Sequence, residues 1–122
     1  MVVISVVTAG SVAEARAALT PQVAVVVGDQ RMPGASGMLF LAEVRAWDET
    51  TGRILLTAGA HLEALMEAIT QGSVHRYVAP PWDPRELRAA VRQALVAAEA
   101  ERERRRLAAA ITAARAQVRE ID

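Results

Sequence analysis

Short aliphatic runs alternate along this chain with longer segments whose apolar residues recur every three or four positions. Val2 to Val7 is a β-branched run of strand length. Ser11, with Glu14 three residues on, opens a helical pattern over Val12 to Leu19 that Pro21 closes. Val23 to Val27 is continuously aliphatic and ends at Gly28-Asp29, as suits a parallel strand covered on both faces. Pro33, Gly34 and Gly37 mark a loop. Met38, Leu41, Val44 and Ala46 or Trp47 then fall at helical spacing before a break near Asp48 to Gly52.

A third strand is predicted over Arg53 to Leu56, ending at Thr57. A helix follows over His61 to Ile69 with Gly72 as its C-cap. Val74 to Val78 is a fourth strand. Pro80-Pro81 interrupts the chain, and Asp83-Pro84 starts a final helix with an N-cap and a proline at its first position. The order β-α-β-α-β-α-β-α implies right-handed crossovers and a parallel sheet with helices on both faces. Working residues of such sheets lie at the carboxyl ends of the strands. Asp29, Thr57 and Ala79-Pro80 share that edge and form one candidate site.

The final helix meets no breaker from Pro84 to Ile121 and would run about 55 Å. Leu87, Val91 and Leu95 are placed to pack on the sheet. Glu99 to Arg106 lacks a large apolar residue and is expected to be solvated. Beyond it Leu107, Ile111, Ala114, Val118 and Ile121 recur at heptad spacing, a stripe that suits a partner helix. The alternative is a helix folded back on its own domain. Residues 1–98 are read as one α/β domain and 99–122 as a helical, coiled-coil extension.

Composition sharpens this in a few places. The 122 residues suffice for one core. Acids and bases balance at 14 each, so no net field draws the chain to nucleic acid or an anionic membrane. No run approaches a membrane span, and no basic region precedes the first apolar run, so neither an anchor nor a signal peptide is expected. A cytoplasmic protein is the expectation. Without cysteine there are no disulfides or thiolate metal sites. All 14 basic residues are arginine, so any chemistry needing a lysine ammonium is missing.

Three blocks carry a resemblance. Asp29-Gln30-Arg31-Met32-Pro33-Gly34-Ala35-Ser36-Gly37 resembles the phosphoacceptor loop of response-regulator receiver domains. Arg53-Ile54-Leu55-Leu56-Thr57-Ala58 resembles their fourth strand with its switch threonine. Tyr77-Val78-Ala79-Pro80-Pro81-Trp82-Asp83 resembles their fifth strand and the loop after it. The resemblance implies a receiver-like (flavodoxin-like) doubly wound sheet lacking its first βα unit, with a long C-terminal helix. It assigns Asp29 as the phosphoacceptor equivalent, Thr57 and Tyr77 as the switch pair, and Pro81 as a proline whose peptide bond the family usually holds cis.

Two departures bear on function. The family's lysine falls at Pro80, which offers no charge. A phosphoaspartate adds about 1.5 to 2 negative charges, left here without that cation. The family's first strand and helix are also missing from this sequence, and with them the acidic pair that holds Mg²⁺. Asp29 alone is a poor magnesium site. The flanking strands then close up, a neighbouring chain completes the sheet, or residues preceding Met1 supply the strand.

The expectation is a pseudo-receiver with no enzymatic activity and no metal or cofactor, acting by protein contact and as a homodimer. Leu107, Ile111, Ala114, Val118 and Ile121 would carry that contact. The rival reading is a genuine phosphoacceptor that takes a phosphoryl group on Asp29 from a histidine kinase, with Mg²⁺. His61 and His75 read as surface residues, Tyr77 as core or rim packing, and Trp82 as a cover for the end of the core or, where exposed, an anchor for a partner.

Overall fold

The computed structural model describes residues 5–32, 35–57 and 62–121, without the side chains of Met32, Ala35, Leu62, Ala64 and residues 119–121. Its elements are α1 (Val12–Ala18), β1 (Val25–Asp29), β2 (Arg31–Met32), β3 (Ala35–Ser36), α2 (Gly37–Trp47), β4 (Gly52–Leu56), α3 (Leu62–Thr70), β5 (Arg76–Val78) and α4 (Pro84–Ile121). β1, β4 and β5 form a parallel sheet in that order, with Val27 opposite Ile54 and Leu56 opposite Val78. This is a flavodoxin-like α/β architecture.

β4 lies in the centre because its side chains feed both faces. Leu55 packs with Leu41, Leu65 and Val74 under α2 and α3, while Ile54 packs with Val78 and Ala90 under α4. The period of two along a strand separates these layers. Gly52 belongs to the same close packing, since a Cβ there would meet Ala94 at 3.1 Å.

The predicted first strand does not form within the described residues. Residues 5–9 are irregular, and Val6 and Val7 are exposed. Val2 to Ile4 lie outside the described residues. A strand persists only in a ladder, and none of residues 5–9 pairs with β1. Ala24 O accepts from Gly52 N–H, and Gln30 N–H donates to Leu56 O. Since parallel pairing alternates along a strand, Val25, Val27 and Asp29 turn their backbone groups to the open edge. The N-terminal helix is instead tied to α2 by a forked Arg16–Glu43 ion pair of 2.6–2.8 Å.

Other boundaries differ modestly. The loop after Asp29 contains a small antiparallel pairing of β2 with β3. Strand β5 begins at Arg76, not Val74, because Val74 turns into the core beneath α3. Gly72 ends α3 with φ 83°, a backbone region that favours glycine.

The long helix runs from Pro84 as expected, and its middle is largely exposed, with Arg102 as a partly buried exception. Arg102 crosses onto the α2–β4 loop and the start of β1. Its guanidinium donates to Thr50 Oγ1 (2.8 Å), Thr51 Oγ1 (3.2 Å), Val23 O (2.8 Å), Pro21 O (3.2 Å) and Asp48 Oδ2 (3.4 Å). Arg105 adds a 3.3 Å contact to Glu49. The sequence pattern concealed this, because arginine docks through polar acceptors and leaves no apolar periodicity.

Candidate functional site

The parallel register brings the predicted site together. Asp29 is paired with Leu56, and Leu56 with Val78, so Asp29, Thr57 and Ala79-Pro80 emerge at one end of three adjacent strands. One carboxylate oxygen of Asp29 accepts the Arg31 N–H at 2.9 Å, an Asx turn that starts the β2–β3 pairing. Gln30 braces the loop: its Oε1 accepts Met38 N–H at 3.1 Å and contacts Ser36 Oγ at 3.4 Å, while Ser36 caps α2. Gln30 was not singled out from sequence. A polar residue beside a strand-end aspartate gives no distinguishing signal.

Gly37 begins α2 directly against the Asp29 backbone. A Cβ there would collide with the Asp29 carbonyl, so only glycine lets the helix approach this closely. Thr57 is buried, and its N–H donates to Val78 O at 3.2 Å. Tyr77 stands on β5 with 40% of its surface exposed, a rim position outside the core. Pro80-Pro81 is joined by a cis peptide bond. Trp82 is 45% exposed, and its indole N–H reaches back to Val78 O at 3.2 Å at the end of β5.

The response regulator receiver domain family matches over residues 1–92. The chain belongs to that family. This receiver is 40% identical over 94 residues to the hydrogenase transcriptional regulatory protein HoxA of Cupriavidus necator, covering 75% of the chain and 19% of that protein. It is 38% identical over 88 residues to the regulatory protein AtoC of Escherichia coli, covering 72% and 19%. The receiver therefore spans about a fifth of the length of these relatives. Among solved structures, the signal receiver domain of an HD domain-containing protein from Pseudomonas fluorescens superposes with a TM-score of 0.69 at 36% identity, covering 77% of this chain and 70% of that one. Such domains act in response-regulator signal transduction.

Pro80 follows β5 at this same edge, and among the described residues no ion pair includes Asp29. The residues present also do not fit magnesium. That ion needs near-octahedral oxygen donors, whereas one Asp29 oxygen is engaged by Arg31 and no three His, Cys, Asp or Glu side chains gather among the described residues.

Charge is concentrated instead at the opposite end of the sheet. Arg53, 2% exposed, donates from its guanidinium to the carbonyls of Glu49, Thr51, Gly72 and Ser73. Burial lowers its pKa, with Arg45 adding to the effect. His75 is exposed, as expected, but its ring is engaged with Arg53. Its Nδ1 lies 3.1 Å from the Arg53 backbone N–H and its Nε2 3.0 Å from the Arg53 guanidinium, two donors facing a neutral ring that has a single acceptor nitrogen. Burial, then Arg53 and Arg45, hold its pKa below the usual 6.5. Burial also pulls the Asp48 carboxyl upward, but the Thr50 hydroxyl and N–H and the charges of Arg102 and Arg105 outweigh it, for a net lowering.

Of the stripe residues, Leu107, Ile111, Ala114 and Val118 are exposed, which removes the reading of a helix folded back on its own domain. The Ile121 side chain lies outside the described residues. No helix among the described residues is long and apolar enough to cross a membrane.

Proposed function

We propose that this receiver is a pseudo-receiver, a cytoplasmic signalling module that works by protein–protein contact without efficient phosphorylation. The observation that carries the reading is Pro80 at the edge shared with Asp29 and Thr57. A phosphoryl group on Asp29 would bring its charge to a site whose lysine position holds a proline, in a chain with no lysine. Phosphoryl transfer depends on electrostatic neutralisation of the oxygens, and neither that cation nor a magnesium site is supplied by the described residues. What remains is a rigid α/β body carrying a long helix with an exposed apolar stripe, chemistry suited to a second copy or another signalling protein.

The test is intact mass spectrometry after incubation with acetyl phosphate and Mg²⁺, beside an Asp29→Asn control. The expected result is no adduct on either chain. A phosphoryl adduct that disappears in the control would overturn this reading and establish a phosphoacceptor served by a histidine kinase.

A further inference from the structure

His75 and Arg53 make a contact that a single proton undoes. The ring nitrogens lie 3.1 Å from the Arg53 backbone N–H and 3.0 Å from its guanidinium, and a neutral imidazole accepts only one of those donors. An imidazolium accepts neither, because both of its nitrogens carry a proton. Among the described residues Arg53 also enters no ion pair, so its charge faces the ring without a bonded carboxylate between them. The contact suits a neutral ring alone.

Of the two partners, the ring is the one free to leave. Arg53 is 2% exposed, and the carbonyls of Glu49, Thr51, Gly72 and Ser73 hold its guanidinium. His75 is exposed just ahead of β5, and its backbone N–H donates to Arg53 O at 2.9 Å. That bond fixes the main chain and leaves the side chain its staggered rotamers.

The structure also holds a place for the displaced ring. A cavity of about 210 Å³ lies between the start of β4 and α4, lined by Gly52, Ala94, Ala98, His75, Glu49 and Glu101. A cavity of about 150 Å³ already takes a benzene ring, so an imidazole fits. Hydrogen bonds from Arg104 and Arg105 hold the Glu101 carboxyl down to about 2, which keeps it anionic while histidine titrates. Arg105 also reaches Glu49 at 3.3 Å, so the two carboxylates of the cavity share one cation.

Other charged groups in the vicinity offer no competing acceptor. Arg45 of α2 is cationic and opposes an imidazolium beside Arg53. Asp48, in the loop after α2, accepts from Thr50 and meets Arg102 at 3.4 Å. Glu67 of α3 is engaged by Gln71, and Arg76 of β5 donates to Gln93 of α4 at 2.6 Å.

We propose that His75 is a two-position proton switch: neutral, its ring ties the start of β5 to Arg53 on β4; protonated, it turns into the cavity and joins Glu49 and Glu101, tying β5 to the α2–β4 loop and to α4. The proton comes from solvent and adds to the ring nitrogen that lacked one; no other covalent bond changes. Burial, Arg53 and Arg45 lower the pKa of the docked ring, and the two carboxylates recover part of that cost, so the midpoint stays below 6.5. Glu101 directly precedes Arg102, so the arriving charge acts where α4 is anchored to the body. Asp29 takes no part.

The chain has two histidines, and His61→Gln leaves the ring signals of His75 alone in the NMR spectrum. The full chain is titrated from about pH 8 to 5, the range in which histidine changes charge. The His75 ring and the Arg53 amide should share one midpoint, and Overhauser contacts from the ring to the Ala94 and Ala98 methyls should strengthen on the acid side. Glu49→Gln and Glu101→Gln should each move the midpoint to lower pH. Glu103→Gln removes the same charge from α4 outside the cavity and should leave the midpoint in place. An Arg53 amide indifferent to the His75 titration would overturn the docked position. Methyl contacts that do not change with pH would overturn the movement, and equal effects of Glu101→Gln and Glu103→Gln would overturn the landing site.

Discussion

The first residue of α2, Gly37, lies against the carbonyl of Asp29 with no room for a side chain between them. Gly37→Ala must therefore shift backbone on one side or the other. The expected cost is about 1–3 kcal/mol, the range for forcing an atom into a packed position. Urea denaturation checks it. A variant as stable as the parent would mean that α2 is free to move away from the site.

Arg102 joins α4 to two loops that have few other ties to it. Arg102→Ala removes hydrogen bonds to Thr50, Thr51, Asp48 and two carbonyls at once. A loss of about 2–4 kcal/mol is expected, since bonds involving a charged group contribute about 1.5–3 kcal/mol each and are not additive. Arg102→Lys should recover little, because an ammonium cannot reproduce the planar fork. Full rescue by lysine would show that charge alone holds the helix.

The pairing of His75 with Arg53 has a pH signature. The folded-state pKa of His75 is lowered, so below 6.5 the unfolded chain binds a proton that the folded chain resists. Stability is fully present above that value and declines as pH falls from 6.5 toward the depressed folded pKa. The lowered Asp48 acts elsewhere: its contribution is present above its usual 3.8 and is lost only as pH falls through its depressed folded value. Thermal melts between pH 7.5 and 5 should show the midpoint falling, and His75→Gln should flatten the slope. An unchanged slope in that variant would assign the effect to another group.

Much of the architecture is legible in the sequence because aliphatic runs bounded by Gly, Asp and Pro mark buried parallel strands directly. The strands expected over Val23 to Val27 and Arg53 to Leu56 form as Val25–Asp29 and Gly52–Leu56, and α4 starts at Pro84 as expected. The candidate site is legible for a different reason: strand ends in a parallel sheet share an edge, so Asp29, Thr57 and Pro80 converge once the order of elements is known. The failures are also physical. Val2 to Val7 has strand composition, yet its described part finds no ladder, and propensity does not create one. Arg53, His75 and Arg102 were hidden because polar docking through carbonyls and hydroxyls leaves no periodic trace. The outward position of the stripe needed the docked face of α4 to be known first.

The most direct test of a phosphorylation-independent module is the mass of the chain in solution with and without beryllofluoride and Mg²⁺, a mimic of a phosphorylated aspartate, for both the parent and Asp29→Asn. The account expects the same dimeric mass in all four samples. A parent that is monomeric alone and dimerises only with the mimic, through a response lost in Asp29→Asn, would contradict it.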